Sequence, residues 1–260
     1  MNSVSIQKGI RIEGQTALVT GGGRGLGAAI AKTLALAGAS VIVMSRSKDQ
    51  LQEVVADIQK AGGNCRAVAC DVTRNEELRR AIDGLPPLDI LVNNAGTNFP
   101  GPFTAVTDEQ LDTMLNLNVR AAFVAAQAVV KKMLAHGERA ADRGGVIVNV
   151  SSQMGHVGAL NRTAYVMTKH ALEGLTKAMA VELAPKNIRV VSIAPTFVDT
   201  PMTRLFFQDE KFKKWVYDRI PMGRLLTPDE VADSVLFLVS PAARMITGTS
   251  LVIDGGWTAQ

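Results

Sequence analysis

Residues Thr16–Gly27 read TALVTGGGRGLG, and how this stretch is read decides the fold. Thr16–Thr20 is a short apolar run that stops at glycine, as a buried strand does, whereas Gly25–Ala37 has helical spacing of its apolar residues. The turn between them is built for an anion. Gly21 permits a tight turn, Gly25 lets a ligand's pyrophosphate approach the backbone, and Gly27 allows the helix to close on the strand. Free amides at the helix start and the helix dipole both favour negative charge there. The order glycine, three residues, glycine, one residue, glycine departs from the GxGxxG turn. The alternative is an ordinary glycine-rich connection, but the preceding strand and following helix favour a phosphate-holding turn.

The same alternation continues outward. Strands are expected at Ser40–Met44, Cys65–Cys70, Asp89–Asn93, Gly145–Val150, Ile188–Ile193 and Ser250–Ile253. Helices are expected at Lys48–Ala61, Asn75–Leu85, Asp108–Leu134, Thr163–Leu183 and Asp229–Leu238. Strands that are apolar throughout, separated by helices, predict an α/β fold: a doubly wound, Rossmann-like parallel sheet of about seven strands with helices on both faces. With no linker or internal repeat, residues 1–260 are read as one domain. Residues 1–13 read as a loosely held tail. Thr97–Thr107 and Thr196–Leu226 look like long loops, the second a candidate substrate lid containing Phe197, Leu205, Phe206, Phe207 and Trp215.

Composition narrows the function classes. Hydrophobic residues are 47% and charged residues 20%, so a chain of 260 residues can bury a self-sufficient core. The net charge of +4 suits an anionic small molecule, and the scattered positive residues argue against nucleic acid. Cys65 and Cys70 are the two cysteines, too few and wrongly spaced for a metal site. With no secretory leader or long apolar run read here, they are expected to be reduced thiols in a cytoplasmic protein without a membrane segment.

Three residues carry the chemistry. Tyr165 and Lys169 are four apart and so share one face of their helix, while Ser152 follows a strand. Hydride arriving at a carbonyl carbon leaves an alkoxide that needs a proton, and oxidation runs the reverse. A free tyrosine titrates near 10, and a neighbouring cation stabilises its phenolate. Lys169 supplies that cation, and the Ser152 hydroxyl is suited to fixing the substrate oxygen; Ser151 is its rival. The second expected strand ends in Ser45-Arg46, not in the acid that usually holds a ribose 2′-hydroxyl. Ser45 can donate to a 2′-phosphate, Arg46 can grip it with a fork, and Arg24 adds a second cation. This favours NADP(H), unless both arginines are merely solvated.

TGxxxGxG at Thr20–Gly27, NNAG at Asn93–Gly96, Ser152, and Tyr165-xxx-Lys169 occur in the order of the short-chain dehydrogenase/reductase family, single-domain branch. The chain resembles that family from Gly14 to Gly256. The resemblance implies a catalytic set of Asn118, Ser152, Tyr165 and Lys169. Asn118 would hold a water linking the lysine to solvent, or else is a polar helix residue bonding a nearby carbonyl. Cofactor contacts are implied for Gly21, Arg24, Gly25, Leu26, Gly27, Ser45, Arg46, Asp71, Val72, Asn93, Ala95, Gly96, Tyr165, Lys169, Pro195, Val198 and Thr200. Asp71 and Val72 would meet adenine, with strand-end capping the alternative for Asp71. Substrate would touch Ser152, Met154, Tyr165 and Phe197, with Gln153, His156, Asn161 and Leu205–Phe207 by position around the pocket; His156 reads more simply as a surface or wall residue. Two positions depart from the family: Thr168 stands where serine is usual, and Pro195-Thr196 replaces the more frequent Pro-Gly.

The implied activity is NADP(H)-dependent transfer of hydride between nicotinamide and a ketone or secondary alcohol, as in a carbonyl reductase. A sugar or polyol dehydrogenase, a 3-oxoacyl-thioester reductase and a non-catalytic dinucleotide sensor remain as alternatives. The outer faces of Asp108–Leu134 and Thr163–Leu183 are rich in Ala, Val and Met, so a homo-oligomer is expected, a tetramer by resemblance.

Overall fold

The computed structural model describes residues 9–135, 144–200, 203–204 and 207–260. The strands are β1 (Thr16–Thr20), β2 (Ser40–Ser45), β3 (Asn64–Ala69), β4 (Ile90–Asn93), β5 (Gly145–Val150), β6 (Ile188–Pro195) and β7 (Ser250–Ile253). They form one all-parallel sheet in the order β3-β2-β1-β4-β5-β6-β7. Around it lie α1 (Gly25–Leu36), α2 (Lys48–Lys60), α3 (Asn75–Asp83), α4 (Asp108–Met114), α5 (Ala121–Ala135), α6 (Thr163–Leu183), α7 (Glu210–Asp218) and α8 (Pro228–Val239). Strand alternation splits the core in two. Ala17 and Val19 of β1 pack with Ile30, Leu34, Val231 and Val235 under α1 and α8. Leu18, one residue out of phase, packs with Ile82, Ala125, Val129 and Leu183 under α3, α5 and α6. Both sides of each central strand are therefore apolar, which is why no polar alternation shows in the sequence.

The sheet is wound in opposite directions from β1 and from β4, so a crevice opens beyond the carboxyl ends of these two strands, where α/β sheets place ligands. Its walls leave little slack. A Cβ on Gly27 would lie 2.3 Å from the Gly21 carbonyl oxygen, and Gly21, at φ +65°, would meet the Ala95 backbone at 2.9 Å. These two glycines let α1 and the turn after β4 converge on the crevice.

Four expectations need correction. The helix expected at Asp108–Leu134 is not regular: between α4 and α5, residues Leu115–Arg120 form a π turn. It also meets the length and composition of a membrane span, contrary to the reading of no long apolar run, yet Ala121, Ala125, Val129 and Met133 are buried in the fold. Of the expected tail, residues 1–8 lie outside the described residues, but Ile12 is buried and its N–H donates to Ala37 O at 3.0 Å. The apolar side chain gains more from the core than the terminus loses in freedom. Lastly, the Thr196–Leu226 segment is no open loop. α7 lies inside it, capped by Asp209, and its ends are stitched by Leu226 N–H to Phe197 O (3.1 Å) and Asp199 N–H to Leu226 O (2.8 Å). Leu205 and Phe206 of that lid lie outside the described residues.

Candidate active site

The phosphate half of the site is shaped by what its backbone leaves open. No side chain caps the first turn of α1, since its N-cap is Arg24, so the amides of that turn face the crevice. Gly25, at φ +54°, has open space where a Cβ would sit, and Leu26 is half-buried beside it. At the end of β2 the Ser45 hydroxyl is buried with no hydrogen-bond partner among the described residues, and a phosphate oxygen would satisfy it. Arg46 and Arg24 are exposed on either side, free to swing onto an anion. The donor set therefore fits a dinucleotide carrying a 2′-phosphate.

Other predicted contacts divide. Asn93 is structural: its Nδ2 donates to Asn149 Oδ1 (3.0 Å) and to Ala122 O (3.2 Å), locking β4 to β5 and α5. Thr20 Oγ1 accepts from the N–H groups of Asn94 and Ala95, placing Ala95 and Gly96 at the crevice. Asp71 caps the strand end through Oδ1, which accepts from Thr73 N–H (3.0 Å) and Thr73 Oγ1 (2.7 Å), an arrangement compatible with an adenine contact through its other oxygen. Val72 is buried beside it. Pro195 ends β6, and its carbonyl accepts from Ser152 Oγ at 3.5 Å. Val198 is buried and forms a bridge with Leu226, while Thr200 pairs with Thr203 through hydroxyl and backbone.

The proton half is more constrained. Ser152 is buried just past β5, and its Oγ accepts from Met154 N–H at 3.2 Å. Tyr165 and Lys169 rise from α6 as the four-residue spacing predicts, with Lys169 Nζ 5.4 Å from the tyrosine ring centre and donating to Val150 O at 2.8 Å. Burial pushes the Tyr165 phenol up to about 12, while a hydrogen bond with Ser152 and the Arg162 charge pull it down. Burial likewise pushes Lys169 down to about 8, against the opposing charge of Glu173. Asn118 sits in the π turn, almost wholly buried. It accepts from Thr97 N–H (2.8 Å) and donates to Thr97 O (2.9 Å) and to Thr168 Oγ1 (3.1 Å). Thr168 in turn donates to Tyr165 O at 2.8 Å. The threonine hydroxyl thus links Asn118 to the Tyr165 turn, and the wider π turn delivers the amide between β4's loop and α6.

Two residues were not singled out from the sequence. Glu173 is a buried carboxylate one turn beyond Lys169. It accepts from Ser192 Oγ (2.7 Å) and Ser250 Oγ (3.2 Å), and His156 Nε2 lies 3.5 Å away. His156, expected as a surface or wall residue, is exposed and pairs with Ser250 Oγ at 3.0 Å. A carboxylate one helix turn after the lysine, in line with Tyr165 and Lys169, was the signal. Glu173 opposes the loss of the Lys169 proton, so Glu173→Gln should move the alkaline limb of kcat/KM to lower pH. A pH–rate profile checks this, and an unmoved limb would leave Glu173 a purely structural tie. The other residue is Arg162, buried one turn before Tyr165. In sequence it is indistinguishable from a surface arginine.

Around the pocket, Met154 is buried, and the Oε1 of buried Gln153 has no partner among the described residues. Phe197 does not stand free: its ring lies 5.8–5.9 Å from those of Phe207, Phe212 and Trp257, tying α7 to the C-terminal segment. Among the described residues no three His, Cys, Asp or Glu side chains cluster as metal ligands.

A family model described as enoyl-(acyl carrier protein) reductase matches residues 21–258. The L-xylulose reductase of Bos taurus is 41% identical over 96% of this chain and 99% of its own length. A chain from Beutenbergia cavernae, provisionally assigned as an NAD(P)-dependent gluconate 5-dehydrogenase and solved with NADP at low occupancy, superposes with a TM-score of 0.91. It is 36% identical, over 96% of this chain and 99% of that one. A gluconate 5-dehydrogenase from Burkholderia cenocepacia, in complex with NADP and tartrate, gives a TM-score of 0.90 at 31% identity, over 96% and 97% of the two chains.

Proposed function

The chain belongs to the short-chain dehydrogenase/reductase family, and from that premise we propose that it is an NADP(H)-dependent oxidoreductase for a small polyhydroxylated ketone or its secondary alcohol. One observation carries the reading: Ser152, Tyr165 and Lys169 converge beside an uncapped glycine turn whose neighbouring Ser45 hydroxyl is buried with no partner among the described residues. NADPH, when bound, supplies the hydride. The chain's own residues do the rest. Ser152 and Tyr165 hold the carbonyl oxygen with two hydroxyls. Tyr165 is protonated at neutral pH, its phenol standing at about 12, and so can donate its proton as the oxygen becomes an alkoxide. Lys169, held by Val150 O, supports the phenolate that remains and would hold the nicotinamide ribose.

The sugar or polyol class is supported by the names of the relatives, one a ketose reductase and others sugar-acid dehydrogenases. Exposed Phe123 on α5 and Met167 and Val181 on α6 support self-association through these helices, which we read as a tetramer. Two buried free thiols, Cys65 and Cys70, support a cytoplasmic setting.

The test is loss of reduced-nicotinamide absorbance with NADPH or NADH and a panel of ketoses, keto acids and 3-oxoacyl thioesters. Turnover of a hydroxylated ketone with NADPH in preference to NADH is expected. Turnover confined to the thioesters would replace the substrate class. NADPH binding without turnover of any carbonyl would favour a sensor.

A further inference from the structure

Gln153 directly follows Ser152 and is 1% exposed, and its Oε1 has no hydrogen-bond partner among the described residues. Asn98 is half-buried in the Thr97–Thr107 loop, and its Oδ1 is likewise buried without a partner among those residues. Leaving a buried amide oxygen unmatched is costly, so native chains rarely do so without a use for it. Both amides are held close to the reacting centre by fixed neighbours. Consecutive α-carbons lie about 3.8 Å apart, so Gln153 starts one step from the serine that holds the substrate oxygen. The stretch around Asn98 is pinned at two points. Thr97 exchanges bonds of 2.8 and 2.9 Å with Asn118, which also donates to Thr168 on α6. Further along, Gly101 N–H donates to Asn161 O at 3.0 Å, just ahead of that helix. The chain between these anchors therefore runs alongside the first turn of α6, the turn that carries Tyr165. Phe99, the next side chain, is exposed. Gln153 thus approaches the carbonyl from the Ser152 side and Asn98 from the Tyr165 side.

Resting on the oxidoreductase reading above, we propose that Gln153 and Asn98 are the specificity-determining residues of the pocket, and that the substrate is a neutral ketone with a hydroxyl on each carbon beside its carbonyl. One hydroxyl meets the Gln153 amide and the other meets the Asn98 amide. A hydroxyl can give a hydrogen to an amide oxygen or take one from an amide NH2, so it satisfies a carboxamide in either orientation. A carboxylate in place of either hydroxyl has no hydrogen to give and would leave the facing oxygen unmatched. A plain alkyl ketone would press both amides against methyl groups. That contrast is the source of selectivity. A site built to bond a hydroxyl rejects the analogue that lacks it, because the site's own buried groups then go unpaired.

The deciding experiment measures kcat/KM with NADPH for dihydroxyacetone, hydroxyacetone and acetone on wild type, Gln153→Met, Asn98→Leu and the double variant. In wild type each hydroxyl removed should lower kcat/KM at least about tenfold. In either single variant dihydroxyacetone should lose its advantage over hydroxyacetone. In the double variant hydroxyacetone should also lose its advantage over acetone. Each comparison is a ratio within one protein, so general damage to the enzyme cancels. Thermal melting of the apo variants gives a second readout. Gln153→Met should melt within about 4 °C of wild type, since its side chain gives up no bond to the protein. Equal kcat/KM for the three ketones in wild type, ratios that survive the substitutions, or faster reduction of pyruvate than of hydroxyacetone would each overturn the proposal. A larger fall in melting temperature would do the same, by making the Gln153 amide a structural tie. Absence of NADPH oxidation with all three ketones would overturn it too, while the wider carbonyl panel above decides the oxidoreductase reading separately.

Discussion

Replacing Tyr165 with phenylalanine is expected to lower kcat for ketone reduction about a thousandfold, the range of a lost general acid. NADPH affinity should change by no more than about twofold, because the substitution keeps the ring and removes one hydroxyl. That hydroxyl carries both the proton and the hydrogen bond with Ser152. The ring beneath Lys169 stays, as does the Lys169 bond to Val150 O, so the cofactor side of the site is left standing. Stopped-flow single turnovers with NADPH and fluorescence titration of the cofactor separate the two effects. A variant that still reduces ketone at more than about a tenth of the normal rate would show that another group delivers the proton. The same phenol also predicts a direction. Held at about 12, it is a ready proton donor at neutral pH and a scarce base. Reduction should therefore run readily at neutrality, whereas the reverse oxidation should accelerate as pH rises.

The second large effect concerns the choice between the two nicotinamide cofactors. Arg46→Asp should shift the ratio of kcat/KM for NADPH over NADH by about a thousandfold toward NADH. Two terms of comparable size combine: a charge-assisted contact to the 2′-phosphate is lost, and a repelling carboxylate replaces it. The new acid also stands where a ribose 2′-hydroxyl can find an acceptor. Arg46 is exposed, so folding should hardly notice the change, and thermal melting of the apo variant provides the control. Nearby Asp71 loses a favourable charge but keeps its two bonds from Thr73. An unchanged preference would mean that Ser45 and Arg24 alone read the phosphate, or that nothing in this corner does.

Much of this site was legible because its parts obey short-range rules. Tyr165 and Lys169 are a helix turn apart, and Thr20–Gly27 is a local turn, so sequence spacing translates directly into geometry. The strands were legible because burial on both faces makes them continuously apolar. What stayed hidden depends on distant contacts. Asp71 could be read as a ligand contact or as a cap, and only the position of Thr73 in space shows that it caps. Ile12 looked like tail because nothing in the sequence shows that Ala37 O awaits its N–H. The lid's helix was overlooked because it is short and lies within a long connection, and it depends on the ring cluster of Phe197, Phe212 and Trp257, residues far apart in the chain. Arg162 was invisible because burial of an arginine leaves no mark on its neighbours.

The π turn at Leu115–Arg120 also separates what the site needs from what the core needs. A wide turn holds one residue more than a regular one, and deleting a single residue here would let the ladder close as ordinary α-helix. The helix beyond would keep its facing, because the wide turn takes up the residue that a regular ladder would convert into a rotation of about 100°. The Ala125, Val129 and Met133 stripe would stay on the sheet, whereas Asn118 would lose the widened turn that holds it between Thr97 and Thr168. The extra residue thus serves the active-site amide alone, and a one-residue deletion should silence the site while sparing the fold.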